Sequence, residues 1–502
     1  MELSSQEASP RWPDQAGYGA ATAGVALALL SAVLAALSLP PYPVWPLVFV
    51  AFVPMLVAQH RILPPRWAAL APGITIGLYF GSQMLRSLRE AGVPFVVQLL
   101  PLYAGLMAAA LAWRSRRFHE QTGYRWFFLA TPAAWVAIDF LRGSGVAVLG
   151  GTWGNPAYAL WSQAPLIQPV SIFGTYGLEL LILVVNWSIA GMAIAALDRS
   201  GRPHARTFAL RRAAGPLAGC AVAAAAWTVL SFSLDGGPRV TVRVAAVQPG
   251  PGGSSAEELR RDVEQTREAA RAGARLVVCR EGGVGFDPRR QRTSEFTALA
   301  RETGVYLVVG FSARLPDGKR QNMAAVFSPD GQLVGSYGKD HAGTFAGDFS
   351  DVRLGHPVWR TAIGGLAVII CYDLDFTDTA RAMARGGAQI IAVPSNDPVP
   401  SLAETHYTHL VFRAIENRLS LIKADRMRDA AAVDPWGRVA GKIIDRQGRR
   451  STLIADLPPG TGQSPYVRLG DWAGWLATAV SASFVILSSI GRRRRAPAGE
   501  AG

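Results

Sequence analysis

Two hydrophobic rhythms divide this chain. From about residue 18 to residue 235, apolar residues run in stretches near the length of a bilayer-crossing helix, at 18–39, 44–59, 67–84, 92–113, 126–141, 166–197 and 213–234. An eighth stretch, 471–490, follows much later. The run 166–197 is longer than one crossing needs, so its first residues are expected to form a surface or re-entrant segment. Any one of these Ala-rich runs is compatible with a soluble core helix; the series in alternation is not. Between 239 and 458 the apolar runs shorten to strand length and alternate with charged helical stretches. Strands are expected at 240–248, 275–279, 305–311, 324–328, 332–337, 365–370, 389–393, 421–424 and 452–456, with further strands around Pro435-Trp436-Gly437. Helices are expected at 295–302, 378–385 and 404–419, and one opens at Ser255-Ala256-Glu257-Glu258, which has the spacing of a capping box. Pro329-Asp330-Gly331 marks a hairpin turn. This is a layered α/β pattern.

Charge orients the first half. Arg61 and Arg66 follow the second run; Arg114, Arg116, Arg117 and Arg125 follow the fourth. Arg199, Arg202, Arg206, Arg211 and Arg212 follow the sixth, and Arg492, Arg493, Arg494 and Arg495 follow the last. The intervening loops are poor in arginine, with Arg86, Arg89 and Arg142 as exceptions. Positive loops mark the cytoplasmic side. The expected plan is a cytoplasmic tail over 1–17, about seven membrane helices over 18–235 and an extracytoplasmic α/β domain over 239–458. A last membrane helix over 471–490 and a basic cytoplasmic tail over 491–502 complete it. The first run has no convincing cleavage site and is expected to be retained. Pro458-Pro459-Gly460 is the expected linker back to the membrane.

Composition agrees. Half of the 502 residues are hydrophobic and 17% are charged, with a mean hydropathy of +0.20. That excludes a disordered chain and is too apolar for an ordinary soluble enzyme. The formal charge of +14 falls on alternate loops rather than on a nucleic-acid patch, so no nucleic-acid partner is expected. Three cysteines make no disulfide framework and no zinc spacing.

Three segments of the α/β half end a strand on a reactive side chain: VVCREGG on Glu281, GSYGKDH on Lys339 and LAVIICYDLDF on Cys371. A thiol just past a buried strand can receive backbone N–H groups that favour its thiolate. A nearby carboxylate can take the proton and a lysine can hold an oxyanion. From spacing alone, the alternatives stay open: a structural cysteine, a loop glutamate, a surface lysine. Cys220 and Cys279 read as packing residues. Gly282–Gly285 lack phosphate-loop spacing, and His341, His356, His406 and His409 have no metal-ligand context and read as satisfied surface or core residues. Asn186-Trp187-Ser188 fits a glycosylation pattern but lies inside an expected span.

The order Glu…Lys…Cys resembles the carbon–nitrogen hydrolase (nitrilase) superfamily, which implies a Glu-Lys-Cys site on an αββα sandwich. With the preceding membrane runs, and with Thr152-Trp153-Gly154, Trp161-Ser162-Gln163, Pro165-Leu166-Ile167-Gln168 and Phe173-Gly174-Thr175-Tyr176-Gly177, the chain is similar to the apolipoprotein N-acyltransferase family of bacterial cell membranes. The resemblance implies Glu281 as base, Lys339 as catalytic lysine and Cys371 as nucleophile, followed by the aromatic Tyr372. It implies a phospholipid acyl donor, a diacylated apolipoprotein acceptor, and no metal, nucleotide or other cofactor. Two further readings accompany it: a membrane-anchored amidase, and a scaffold that docks a polyprenol-phosphate mannosyl synthase. The chain departs from the family pattern in three places. Asp373 stands where the family has Glu. His341–Asp348 (HAGTFAGD) replaces a shorter Glu-ending run, with Asp348 as the candidate second carboxylate. Pro398-Val399-Pro400 replaces Trp-Phe-Gly after Ser395-Asn396-Asp397.

Overall fold

The computed structural model describes residues 15–42, 44–146, 150–197, 203–236, 240–250, 252, 254–344, 348–397, 399–426, 428–445 and 447–493. Arg199, Arg202, Arg494, Arg495, Pro398, 345–347 and most of both tails therefore lie outside the described residues.

The first half is helical: α1 (Gln15–Ser38), α2 (Val53–Val57), α3 (Leu70–Glu90), α4 (Phe95–Gln98), α5 (Leu100–Gln121), α6 (Phe127–Leu141), α7 (Val170–Leu197) and α8 (Pro203–Leu234). By length and composition, four segments among the described residues are long and apolar enough to cross a membrane: Tyr18–Ser38, Trp45–Ile62, Val170–Leu197 and Ala214–Leu234. Trp472–Ile486 is a shorter apolar helix. The eight expected spans are thus not all of one kind. The stretch 44–59 is built from a 3₁₀ turn (Trp45–Phe49), α2 and a π turn (Ala58–Ile62), because Pro46 and Pro54 interrupt a continuous α-helix. The stretches 67–84 and 92–113 are extended in the structure into polar sequence, α3 through Arg86, Arg89 and Glu90 and α5 through Arg114, Arg116 and Arg117. These two helices sit close together through glycine: a Cβ on Gly105 would lie 2.6 Å from the Gly73 carbonyl oxygen. The long run 166–197 is not one regular helix, and its first residues are mostly buried rather than on the surface. A 3₁₀ turn, Ala164–Leu166, precedes α7, and α7 itself kinks at Gly174 (φ 68°). Asn186 is buried inside α7, where its side chain bonds the Phe52 and Val48 backbones rather than carrying a glycan.

The second half is a sandwich of two six-stranded sheets. The strands are β1 (Val242–Gln248), β2 (Leu276–Val278), β3 (Tyr306–Arg314), β4 (Arg320–Phe327), β5 (Leu333–Gly338), β6 (Val358–Thr361), β7 (Gly364–Val368), β8 (Ile390–Pro394), β9 (Ser420–Ala424), β10 (Asp429–Val433), β11 (Val439–Ile444) and β12 (Ser451–Leu457). Their orders are β12-β1-β2-β3-β4-β5 and β11-β10-β9-β8-β7-β6. In each sheet three central strands are parallel and the outer pairs antiparallel. Helices α9 (Ser255–Arg271) and α10 (Thr293–Thr303) cover the first sheet; α11 (Thr377–Arg385) and α12 (Pro400–Asn417) cover the second. Strand β1 shows why the runs read as unbroken apolar. Val244 and Ala246 face the core between the sheets, whereas Ala245 and Val247 face the helix layer, so both faces are dry. The capping box sits one residue earlier than expected: Ser254, not Ser255, caps α9 and pairs with Glu257. Strand β6 carries no strong apolar run and was not anticipated; it is an edge strand with half-exposed residues.

The halves are bolted together. Arg413 of α12 bonds Glu416 (2.6 Å) and the Tyr158 hydroxyl (2.9 Å), and Glu416 accepts from the N–H and hydroxyl of Thr175 on α7 (2.9 and 2.6 Å). Arg413 and Glu416 are fully buried. The expected linker at 458–460 is tied down as well, with the Gly460 N–H on the Gln389 carbonyl. After α13 (Pro465–Leu469), α14 (Trp472–Arg493) returns to the helical half. There Trp475 packs edge-on against Phe140 of α6 (4.8 Å), and Trp472 donates to the Ile172 carbonyl of α7 (2.8 Å). Just before it, Asp471 accepts from Arg381 of α11 (2.7 Å).

Candidate active site

Three strand ends of the two sheets converge. Glu281 lies just past β2, Lys339 directly after β5, and Cys371 three residues past β7, where its φ of +47° opens a 3₁₀ turn, Cys371–Asp375. A non-glycine residue in that conformation is strained and persists only when its surroundings fix it. Here the β7 strand and the buried Asp373 fix it. The Asp373 carboxylate accepts from the N–H groups of Ile370 (2.9 Å), Asp340 (3.1 Å) and His341 (2.7 Å) and from the Tyr337 hydroxyl (2.8 Å). Asp373 therefore ties the Cys371 turn to the segment after Lys339, largely through backbone.

Lys339 is the hub. Its ammonium sits 2.7 Å from Glu281 Oε1 and 2.6 Å from Asp348 Oδ2, with the side chain 2% exposed. Asn322 of β4 donates to both carboxylates, at 2.6 and 3.0 Å. Burial alone would strip the Lys339 charge, but Glu281, Cys371 and Asp348 more than offset it and hold its pKa well above the ordinary value. Desolvation pushes Asp348 up, and Lys339 outweighs it, so this carboxyl titrates below its usual range. The half-buried Cys371 thiol is driven well up, first by desolvation and then by the charge of Glu281, with Lys339 offsetting only part. The resting thiol is neutral. The Asn396 N–H points at its sulfur. All three expected catalytic residues are thus brought together, and Asp348 joins them at Lys339.

Tyr372 faces the other way. Its hydroxyl donates to the Gly150 carbonyl (2.7 Å), and the N–H and hydroxyl of Thr152 donate to the Asp375 carbonyl (2.9 and 2.8 Å). A loop of the helical half therefore clasps the Cys371 turn. Cys279 is buried in the first sheet's core, and Cys220 packs against Ser188, as read from the sequence. His406 and His409 are a different matter. Both are buried, and they pair with Asp397 and Asp375 that other elements supply. No spacing in α12 could announce carboxylates arriving from elsewhere.

Two donor sets converge closely enough for a cation: Cys371, Asp397 and His406, and Asp397, Asp425 and Asp429. In each the donors are already engaged. His406 Nδ1 lies 2.9 Å from Asp397, and Lys423 Nζ bonds both Asp397 and Asp429.

Two results are expected of the periphery of this site. Asp348→Ala should slow acylation of Cys371 about 10- to 100-fold by loosening Lys339, a loss of the size that misplacement produces. Rapid-quench mass measurement of the acyl-enzyme would read it, and an unchanged rate would count against a second carboxylate here. The second concerns His341, 3.2 Å from Asp378 and stacked on Phe376. Desolvation lowers its pKa, but the hydrogen bond and charge of Asp378 raise it further, for a net rise. Burial likewise pushes Asp378 up and His341 pulls it down to about 2. The histidine contribution is full below its unfolded value of about 6.5 and fades as pH rises through the higher folded value. The aspartate contribution is full above about 4 and fades as pH falls towards 2. The pair is worth most between these limits, though less than about 1 kcal/mol because Asp378 is exposed. Melting curves of Asp378→Asn should lack that shallow maximum.

Comparison with known proteins places this geometry. Residues 243–465 match the carbon–nitrogen hydrolase family model, and a nitrilase of Pyrococcus abyssi is 32% identical over 37% of this chain and 75% of its own length. The catalytic half is a carbon–nitrogen hydrolase domain. Residues 31–188 match the N-terminal domain of apolipoprotein N-acyltransferase. Relatives bearing that name align from end to end: one from Geobacter metallireducens at 27% identity (93% of this chain, 95% of its own) and one from Gloeobacter violaceus at 26% (97% of each). The chain belongs to the apolipoprotein N-acyltransferase family and is a bacterial membrane protein.

Proposed function

We propose that this protein transfers an acyl chain from a membrane phospholipid to the α-amine of the diacylglyceryl-cysteine that begins an apolipoprotein. The observation that carries the reading is the clasp of the helical half on the nucleophile turn. A hydrolase of small polar amides has no use for a membrane loop at its cysteine; an enzyme whose two substrates are both bilayer lipids does.

In the first step Glu281 takes the Cys371 proton as the sulfur attacks the ester carbonyl of the phospholipid. Lys339 and the Asn396 N–H stabilise the oxyanion. The C–O bond breaks, the lysophospholipid oxygen takes the proton from Glu281, and a thioester remains on Cys371. In the second step the lipoprotein amine attacks the thioester. Glu281 accepts the amine proton, the C–S bond breaks, the thiolate is reprotonated, and the amide is formed. A covalent nucleophile splits one difficult transfer into two easier ones. The catalytic domain faces the extracytoplasmic side, with the arginine-rich loops inside the cell. Purified protein in detergent, given a phospholipid and a synthetic diacylated lipopeptide, should add one acyl mass to the peptide. Release of free fatty acid with no acylated peptide would overturn the transferase reading in favour of a hydrolase.

A further inference from the structure

Beside Cys371 lies a buried charge cluster that the mechanism above does not use. One ring nitrogen of His406, one carboxylate oxygen of Asp397 and the Cys371 sulfur lie within 4.8 Å of one another. His406 Nδ1 is 2.9 and 3.0 Å from the two oxygens of Asp397, and its Nε2 makes no hydrogen bond and lies 3.8 Å from Asp375. The groups facing this ring come from several elements. Asp375 and Cys371 are on the nucleophile turn, Asp397 follows β8, Lys423 is on β9, and His409 is one turn along α12 and 2.5 Å from Asp375. Lys423 also bonds Asp429 and lies 4.0 Å from Asp425. Trp153, from the clasping loop, lies over both histidine rings.

Charge balance decides the protonation of His406. Asp375 and Asp397 are fully buried, and a buried carboxylate needs a cation. Lys423 serves Asp397 but is shared with Asp429. Only His406 lies between Asp397 and Asp375. Burial disfavours its charge, and the two carboxylates more than restore it.

We propose that His406 is a positioning residue for the reaction: an imidazolium, held between Asp375 and Asp397, that stands beside the Cys371 sulfur and stabilises its thiolate. His406 keeps both of its protons throughout, and the thiol proton still goes to Glu281. A cation this close, in a dry site, offsets the desolvation and the neighbouring Asp397 charge that help to hold the resting thiol neutral.

The inference rests on Cys371 as the nucleophile, and its test needs no acyl donor, so it stands or falls apart from the transferase reading. Full-length protein in detergent is alkylated with iodoacetamide from about pH 5 to pH 10, and modification of the Cys371 peptide is followed by mass. Cys220 and Cys279 are buried and serve as internal controls. His406→Gln should shift the midpoint upward by about one unit and slow alkylation at neutral pH about tenfold. His409→Gln loses a buried contact with Asp375 from a ring whose pKa burial lowers, so it should lower the melting temperature without moving the profile. An unmoved profile in folded His406→Gln overturns the proposal. If that variant does not fold, Asp375→Asn, which retains the ring but weakens its charge, should move the midpoint the same way; an unmoved midpoint there is equally fatal.

Discussion

Cys371→Ala should abolish acyl transfer, by at least about 10³-fold, while leaving the fold intact. The size follows from what is lost: with no sulfur there is no thioester, and neither half of the transfer has another route. The fold should survive because Cys371 is half-buried and its turn is held by Asp373 and Thr152, not by the thiol. The left-handed backbone at position 371 is no harder for alanine than for cysteine. Melting temperature and monodispersity in detergent should match the parent, while the lipopeptide mass stays unshifted. Residual transfer at more than about a thousandth of the parent rate would mean that another group attacks the phospholipid ester. Unfolding would mean that the nucleophile is also a structural pin.

The second large effect is expected at Lys339, and it is double. Lys339→Ala removes the oxyanion donor, a loss of about 10²- to 10³-fold by comparison with other oxyanion sites. It also leaves Glu281 and Asp348 facing each other across an empty space, with only Asn322 between them. Breaking a buried ion pair on one side costs about 3–5 kcal/mol, so the variant should melt well below the parent. The two effects separate with Lys339→Met, which fills the space but not the charge. Acyl-enzyme formation should fail in both variants, trapped and weighed without acceptor. Normal thioester formation in a folded Lys339→Met would remove the lysine from the chemistry and leave it a structural counter-ion.

Much of this site was legible because its residues sit where buried strands stop. Strands β2 and β7 are short and apolar, which places Glu281 and Cys371 just past strand ends; the roles of both, and of Lys339 after the half-exposed β5, come from the resemblance. Strand β6 escaped notice because an edge strand is half wet and carries no apolar run. The helices α3 and α5 ran past their expected ends because helix hydrogen bonding continues through Arg86 and Arg114, whereas an apolar window stops there. His406 and His409 are the core residues that their sequence reading allowed, but their partners could not be named from it. Their partners, Asp375 and Asp397, arrive from other elements, and only the packing of α12 on the nucleophile turn brings them within reach. Asp348 is an intermediate case: a carboxylate after the lysine was anticipated by resemblance, but the loop length that delivers it to Lys339 could not be read in advance.

The return of α14 to α6 and α7 has a consequence for how the protein is made. A ribosome emits the helical half first, then the whole sandwich, and only then the segment with Asp471, Trp472 and Trp475. Until that segment emerges, Phe140 lacks the Trp475 ring, the Ile172 carbonyl lacks its indole donor, and Arg381, ten residues after Cys371, lacks the Asp471 carboxylate. Helix α14 is therefore a late latch on α6 and α7, which precede the sandwich. Chains broken off before it would carry every chemical group of the site and still leave its scaffold open, a ready mark for quality-control proteolysis.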